Sequence, residues 1–354
     1  VKPLPSSSAT HTPDESALGR FDPFGPHPHS RYLVLQTHRI QCALSMPPVS
    51  WKSLFGTSSR AALEVPVRVF TRGGYPLLVV SWTARLPARH ALALYAPQKR
   101  LARIARRLWG LTFPLGFAPA SSRDCIRVDV DSPFISFLAR ISGNSGTCAC
   151  CPVPPFAILV GNPNGRAQRF LIQIFNRDHS PIAVVKSAVD ECARKLIEAE
   201  TSFLTELHSK IGKAAPATAF DYAIVPKITA EFHNGDISAF SMPFVPGDSP
   251  SANWNREIEP ILCSWLHNTK KPLFSFPAWH RLAEAGKEDV LLKTLQSKLA
   301  GLHILPALCH GDFVPWNVKL SPRDGSWTVL DWERGEFGGL PGWDWFHYIL
   351  QTAT

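Results

Sequence analysis

Apolar residues in the middle of the chain fall into short runs divided by turn residues. Phe156-Ala157-Ile158-Leu159-Val160 is followed by Gly161-Asn162-Pro163-Asn164-Gly165, then by Arg169-Phe170-Leu171-Ile172-Gln173-Ile174-Phe175. Asp178-His179-Ser180-Pro181 turns the chain again into Ile182-Ala183-Val184-Val185-Lys186. Aliphatic and aromatic runs bounded by Gly, Pro, Asn and Asp predict strands joined by tight turns, here a three-stranded meander. From 187 to 210 the spacing becomes helical, with Ala193, Leu196, Ile197, Ala199, Phe203, Leu204 and Leu207 among the apolar positions. Residues 237–245 predict another strand, stopped by Pro246-Gly247. Residues 251–302 read as mainly helical, with one core stripe at Ile258, Ile261, Leu262, Trp265 and Leu266. Val290, Leu291, Leu292, Leu295, Leu299 and Leu302 form a second. The turn Ser321-Pro322-Arg323-Asp324-Gly325 leads to a short strand at 327–330, which delivers Asp331 at its end.

The first 150 residues are less regular. Residues 1–30 are dense in Pro, Ser, Thr and His and predict a disordered tail. Strands are expected at 32–35, 65–70 and 77–82, the second confined to an edge by Pro66. Residues 97–111 predict a helix with Leu101, Ile104, Leu108 and Trp109 on one face and five Lys and Arg around the rest. Such a helix can touch a lipid surface, but the expected arrangement is a solvated helix docked on its own domain. The stretch 142–155 predicts a linker. The division expected is a tail (1–30), an N-terminal extension with linker (31–150), a small β lobe (151–246) and a C-terminal lobe (247–354).

Composition narrows this picture modestly. The chain has 354 residues, 45% hydrophobic and 18% charged, which is globular rather than disordered. A net charge of +9 suits an anionic partner without selecting one. No nucleic-acid-binding motif accompanies the charge, so nucleic acid is not expected. No apolar run of about eighteen residues predicts a transmembrane helix. The polar start predicts no secretory signal, so a cytoplasmic location is expected. The eight cysteines form no regular framework and are expected to be reduced. Cys148, Cys150 and Cys151 lack the fourth ligand a zinc site needs and read as a chance cluster.

Candidate chemistry concentrates in Cys309-His310-Gly311-Asp312-Phe313-Val314-Pro315-Trp316-Asn317 and Val329-Leu330-Asp331-Trp332-Glu333. A carboxylate, an amide and a second carboxylate in this order suit phosphoryl transfer, where positioning and electrostatics do nearly all the work. Asp312 can take a proton from an attacking hydroxyl. Asn317 and Asp331 can hold the magnesium ions that neutralise the phosphates of ATP. Pro315 disfavours a helical Val314, so the segment is a loop that can aim the two groups differently. Lys186, closing an apolar strand, can reach the phosphates if an acid holds it. Glu198 and Glu200 point about 200° apart on a helix, so only one can face it. Gly161 and Gly165 can bring backbone amides to a phosphate, although a plain hairpin turn explains them equally.

His310-Gly311-Asp312 with Asn317, then Asp331-Trp332-Glu333, then Gly339 to Asp344, resembles the aminoglycoside phosphotransferase and choline kinase superfamily. The Phe-x-Pro-Trp-Asn and Asp-Trp-Glu variants are similar to a bacterial branch of it. The resemblance is strong over 307–348, moderate over 156–247, and weak or absent before Cys151. It implies an α+β, protein-kinase-like two-lobe fold: a small antiparallel β lobe and a mainly helical C-terminal lobe, with an extra N-terminal α/β segment. Family members usually carry more C-terminal helices, so this lobe is expected to be short or truncated. The resemblance also implies an ATP-dependent enzyme that uses Mg2+ to phosphorylate a hydroxyl of a small molecule. In it Asp312 would be the base, His310 a brace of the catalytic loop, and Asn317 and Asp331 the metal ligands. Glu200 would hold Lys186, because it precedes Phe203-Leu204 as the family's paired glutamate does. Met242 and Phe244 would lie on the connector whose backbone binds adenine, where Pro243 removes one donor. Asp344 matches an acid that buttresses the catalytic loop. The acceptor hydroxyl is expected on a sugar, amino alcohol or aminoglycoside-like molecule; acids are sparse between Gly247 and Leu302 and the chain is basic, so a sugar, amino alcohol or other neutral or anionic metabolite fits slightly better than a polycationic aminoglycoside. The alternative is a pseudokinase or scaffold that binds nucleotide or an anionic partner without turnover.

Overall fold

The computed structural model describes residues 50–56, 62–72, 74–82, 121–143, 153–161, 167–214, 223–250, 255–286 and 289–353, with positions 91, 104 and 108. The expected tail, the strand at 32–35, most of the helix at 97–111, Cys148, Cys150, Cys151 and Gly165 lie outside the described residues.

The architecture is α+β. Strands β1 (Ala62–Arg72), β2 (Tyr75–Ser81) and β3 (Ser121–Asp129) precede helix α1 (Pro133–Ile141). The meander follows as β4 (Phe156–Val160), β5 (Phe170–Phe175) and β6 (Pro181–Ala188), then α2 (Glu191–Ala214), β7 (Ala223–Ile224), β8 (Ala230–His233) and β9 (Ser238–Pro243). The remainder comprises α3 (Asn255–Ser264), β10 (Lys271–Pro272), α4 (Pro277–Ala285), α5 (Val290–Lys298), β11 (His303–Ile304) and β12 (Ala307–Cys309). It ends with β13 (Val318–Leu320), β14 (Trp327–Val329), β15 (Glu336–Gly339) and α6 (Trp343–Ala353).

An eight-stranded sheet in the order β3-β1-β2-β4-β5-β6-β9-β8 dominates the first part. Leu78, Val79 and Val80 of β2 pair with Leu159, Ile158 and Ala157 of β4, so the early strands and the meander share one sheet. The edge position expected for β1 is corrected, since β1 lies between β3 and β2. Pro66 faces Cys125 of β3, while pairing with β2 begins at Val67 opposite Ser81. The missing N–H therefore falls where β1 has one neighbour, which is how the strand tolerates a proline.

Alternation along the strands splits the sheet between two cores. Val185 of β6 and Ala239 of β9 join the core built on Phe55, Phe134, Phe137 and Phe156. Val184 of β6 and Phe240 and Met242 of β9 join the one that contains α2, Phe313, Trp332 and Tyr348. A period of two puts Lys186 on the same face as Val184, toward α2 and the C-terminal part.

The apolar set at 290–302 is not a core stripe. Leu292 is buried, but Val290 is 73% exposed and Leu291 79%. α5 packs through Leu292, with Leu299 at its C-cap, onto a small cluster with Leu273, Phe276 and Trp279, which covers only a narrow face. Cys192 is disulfide-bonded, against the expectation of reduced cysteines, whereas Cys125, Cys263 and Cys309 are free. Pairing depends on closeness in space, which spacing along the chain does not reveal. No helix among the described residues is long and apolar enough to cross a membrane.

The segment after β9 is pinned to β13: Asp248 O accepts from Leu320 N at 2.9 Å. Gly247 has φ +134°, and a Cβ there would lie 2.0 Å from Leu320 O. Gly247→Ala therefore meets both backbone strain and a clash, and should cost about 1–3 kcal/mol in urea denaturation. An unchanged midpoint would show that the connector is looser than described.

Candidate active site

Lys186 pairs with Leu171 of β5 and Phe240 of β9, and β6 continues to Ala188. The lysine thus sits within the strand rather than closing it, and it is only 5% exposed. Helix α2 starts after Asp190, whose Oδ1 accepts from Ala193 N at 2.8 Å. Ala193, Ile197, Leu204 and Leu207 form its buried stripe, and Glu200 falls on that stripe at 1% exposure. A charge so placed needs partners. Lys186 Nζ donates to Glu200 Oε2 and to Asp331 Oδ1. The backbone N of Trp332 donates to Glu200 Oε1 at 3.0 Å. Glu198 is turned elsewhere and accepts from Ser238 Oγ at 2.8 Å.

Asp331 follows β14 with φ +67°, a left-handed backbone rare outside glycine. Holding it there costs about 1–3 kcal/mol, strain of a kind that clusters at functional sites. Burial pushes the Asp331 carboxyl up, but the charges of Lys186 and Arg169 outweigh it and leave it well below the usual carboxylate range. Burial also pushes Glu200 up, and there the pull of Lys186 does not prevail. The two acids share one lysine, Asp331 being the more readily ionised.

Glu333 is nine-tenths buried and forms an ion pair with Arg169, its Oε2 also lying 3.9 Å from Lys186 Nζ. It is not a surface residue. Carboxylate oxygens of Glu200, Asp331 and Glu333 lie within 4.8 Å of one another. Arg169 had no sequence signal beyond its place before β5. Its carbonyl accepts the N–H of Gly161 at 3.0 Å, and a Cβ on Gly161 would come within 2.5 Å of that oxygen. The Gly161 N–H is thus bonded within the hairpin, and its lack of a side chain is what the root of the turn uses.

The segment 310–317 links β12 to β13 and is held from three sides. Asp344 at the start of α6 accepts from His310 N at 2.6 Å and from Gly311 N at 2.9 Å. Burial pushes its carboxyl up, and the two N–H donors and His310 work against that. The His310 ring is fully buried; Nε2 lies 2.7 Å from Leu330 O, and Nδ1 accepts from Asp312 N at 3.2 Å. These partners place its proton on Nε2 and make the ring a brace between the loop and the Asp331 strand. Asn317 Nδ2 donates to Asp312 O at 3.0 Å and to Asp312 Oδ2 at 3.2 Å. Leu330 N donates to Asn317 O at 2.7 Å, so Asn317 lies beside the residue that precedes Asp331. With the amide nitrogen on Asp312, the Asn317 side-chain oxygen is the atom left to face a cation. Oxygen donors on carboxylate and amide suit a hard divalent ion that keeps water and phosphate ligands, so the donor set fits magnesium.

His347 of α6, not singled out in the sequence, places Nε2 3.6 Å from Asp312 Oδ1. At the other end of the site, Met242 of β9 pairs with Val184. Phe244 N donates to Ile182 O at 2.9 Å. Pro243 beside it lacks an N–H, as expected, and the Phe244 N–H is one further connector donor already bonded within the protein.

No family model and no curated protein matches the chain. Solved structures similar to it include an aminoglycoside phosphotransferase from Streptomyces rimosus, at 16% identity over 62% of this chain and 83% of that one, TM-score 0.37. A type VIII aminoglycoside-3'-phosphotransferase matches at 20% identity over 52% of this chain and 73% of that one, TM-score 0.34. A thermostable mutant of an aminoglycoside phosphotransferase, in a ternary complex with ADP and hygromycin B, matches at 11% identity over 59% and 73%, TM-score 0.36.

Proposed function

We propose that this protein moves the γ-phosphoryl group of ATP to a hydroxyl of a small molecule. The observation that carries the reading is the buried Lys186, bonded at once to Glu200 of a helix and to Asp331 at a strand end. A strand lysine held by a helix glutamate, together with a metal-binding aspartate, is what kinase chemistry requires to be in place. Lys186 Nζ would orient the phosphates, and Glu200 keeps it charged and aimed. A magnesium ion held by Asp331 and the Asn317 side-chain oxygen would neutralise charge on the phosphates. Asp312 takes the proton of the attacking hydroxyl as the acceptor oxygen bonds to the γ-phosphorus. The bond from that phosphorus to the bridging oxygen breaks, and ADP leaves. Asn317 fixes the Asp312 carboxylate, while His310 and Asp344 fix its loop.

The acceptor class favoured by the basic chain is a sugar, amino alcohol or other neutral or anionic metabolite. ADP release from magnesium-ATP, measured with sugars, amino alcohols and aminoglycosides in turn, should rise with a member of the first two classes. Nucleotide binding without ADP release from any of them would favour the binding-only alternative.

A further inference from the structure

Asn317 holds one oxygen of Asp312, and His347 faces the other. The distance from His347 Nε2 to Asp312 Oδ1, 3.6 Å, is beyond a direct hydrogen bond. It leaves a position from which one oxygen atom reaches both groups at normal hydrogen-bond length. The other ring nitrogen, Nδ1, is buried and has no hydrogen-bond partner. A buried donor without an acceptor is rarer than the reverse, so the proton belongs on Nε2, toward Asp312. The groups that face this ring are Asp312 and His310 of the loop, Arg334 after β14, and Asp344 on its own helix. Burial leads in holding the imidazole below its ordinary value, against the two carboxylates and with the help of Arg334 and His310. A neutral His347 is therefore a single N–H donor aimed at the space beside the Asp312 carboxylate.

A hydroxyl has one proton to give and two lone pairs. We propose that His347 grips the acceptor's hydroxyl oxygen, donating Nε2–H to one lone pair while Asp312 Oδ1 receives the proton. The second lone pair is then left to attack phosphorus, so His347 selects the orientation in which the hydroxyl is reactive. The inference rests on the phosphotransferase reading and assigns a residue to the acceptor side of that site.

Two variants and two readouts test it. His347→Phe keeps an aromatic ring without the donor, and His347→Gln keeps an N–H. With water as the acceptor, His347→Phe should lower the kcat of magnesium-ATP hydrolysis about tenfold, the worth of about one hydrogen bond, with KM for ATP unchanged. His347→Gln should restore most of the loss. Independently, the protonation midpoint of the His347 ring, followed by NMR, should fall in Asp312→Asn, because the facing negative charge is gone. A midpoint that Asp312→Asn does not move, or a His347→Phe protein that hydrolyses at the wild-type rate, would overturn the inference alone. A wild type that neither binds nor hydrolyses magnesium-ATP would overturn the phosphotransferase reading and the inference with it.

Discussion

Lys186→Met should destabilise the protein by about 3–5 kcal/mol at pH 7, the usual cost of breaking a buried ion pair by removing one partner. The methionine fills the space of the lysine stem but leaves Glu200 and Asp331 facing each other without the cation that bonds them both, Arg169 being the cation that remains nearby. The pH dependence identifies the cause. In the wild type the Asp331 carboxyl is held well below its ordinary value of 3.8. Its stabilisation is therefore present above that value and lost as pH falls through the folded one. In the variant the pull of Lys186 against burial is gone, so both carboxyls have higher folded values than in the wild type, and the variant loses stability relative to it as pH rises. The gap between wild type and variant should thus widen from the ordinary carboxylate range of 3.8 to 4.5 toward neutrality. Urea denaturation across pH measures it, and an equal gap at every pH would show that packing rather than charge accounts for the loss.

Asp312→Ala should lower transfer about 10²–10⁴-fold, the range for removing a general base, while nucleotide affinity changes little. The Asp312 side chain contacts Asn317 and faces His347; the pairing of Lys186 with Glu200 and Asp331 does not involve it. Turnover with a saturating acceptor, set beside calorimetric titration of magnesium-ATP, separates the two effects. Equal turnover in variant and wild type would remove Asp312 from the mechanism.

The same geometry explains what could be read along the chain. The meander was legible because its turns are marked by Gly, Pro, Asn and Asp and its strands by aliphatic and aromatic runs. β3 was not: among its described side chains only Ile126 and Val128 are buried, too few to betray an alternation. The preference for Glu200 over Glu198 has a physical basis in register, since Glu200 continues the spacing of Ala193, Ile197, Leu204 and Leu207. The α5 set misled because periodicity tells which residues share a face and not whether anything covers it. Asp312, Asn317 and Asp331 announce themselves by order and spacing. Arg169 and His347 reach the site through contacts far apart in sequence, with Glu333 and Asp312, and no local pattern marks them.

Asp331, held by Lys186, is proposed to belong to a magnesium-nucleotide site. The most direct measurement is the melting temperature of wild type and Asp331→Ala, each with and without magnesium-ATP. A ligand that binds only the folded state adds about 2.7 kcal/mol at a hundredfold excess over its dissociation constant. A magnesium-dependent rise is expected in the wild type and absent in Asp331→Ala. No rise in folded wild type, or an equal rise in the variant, would contradict it.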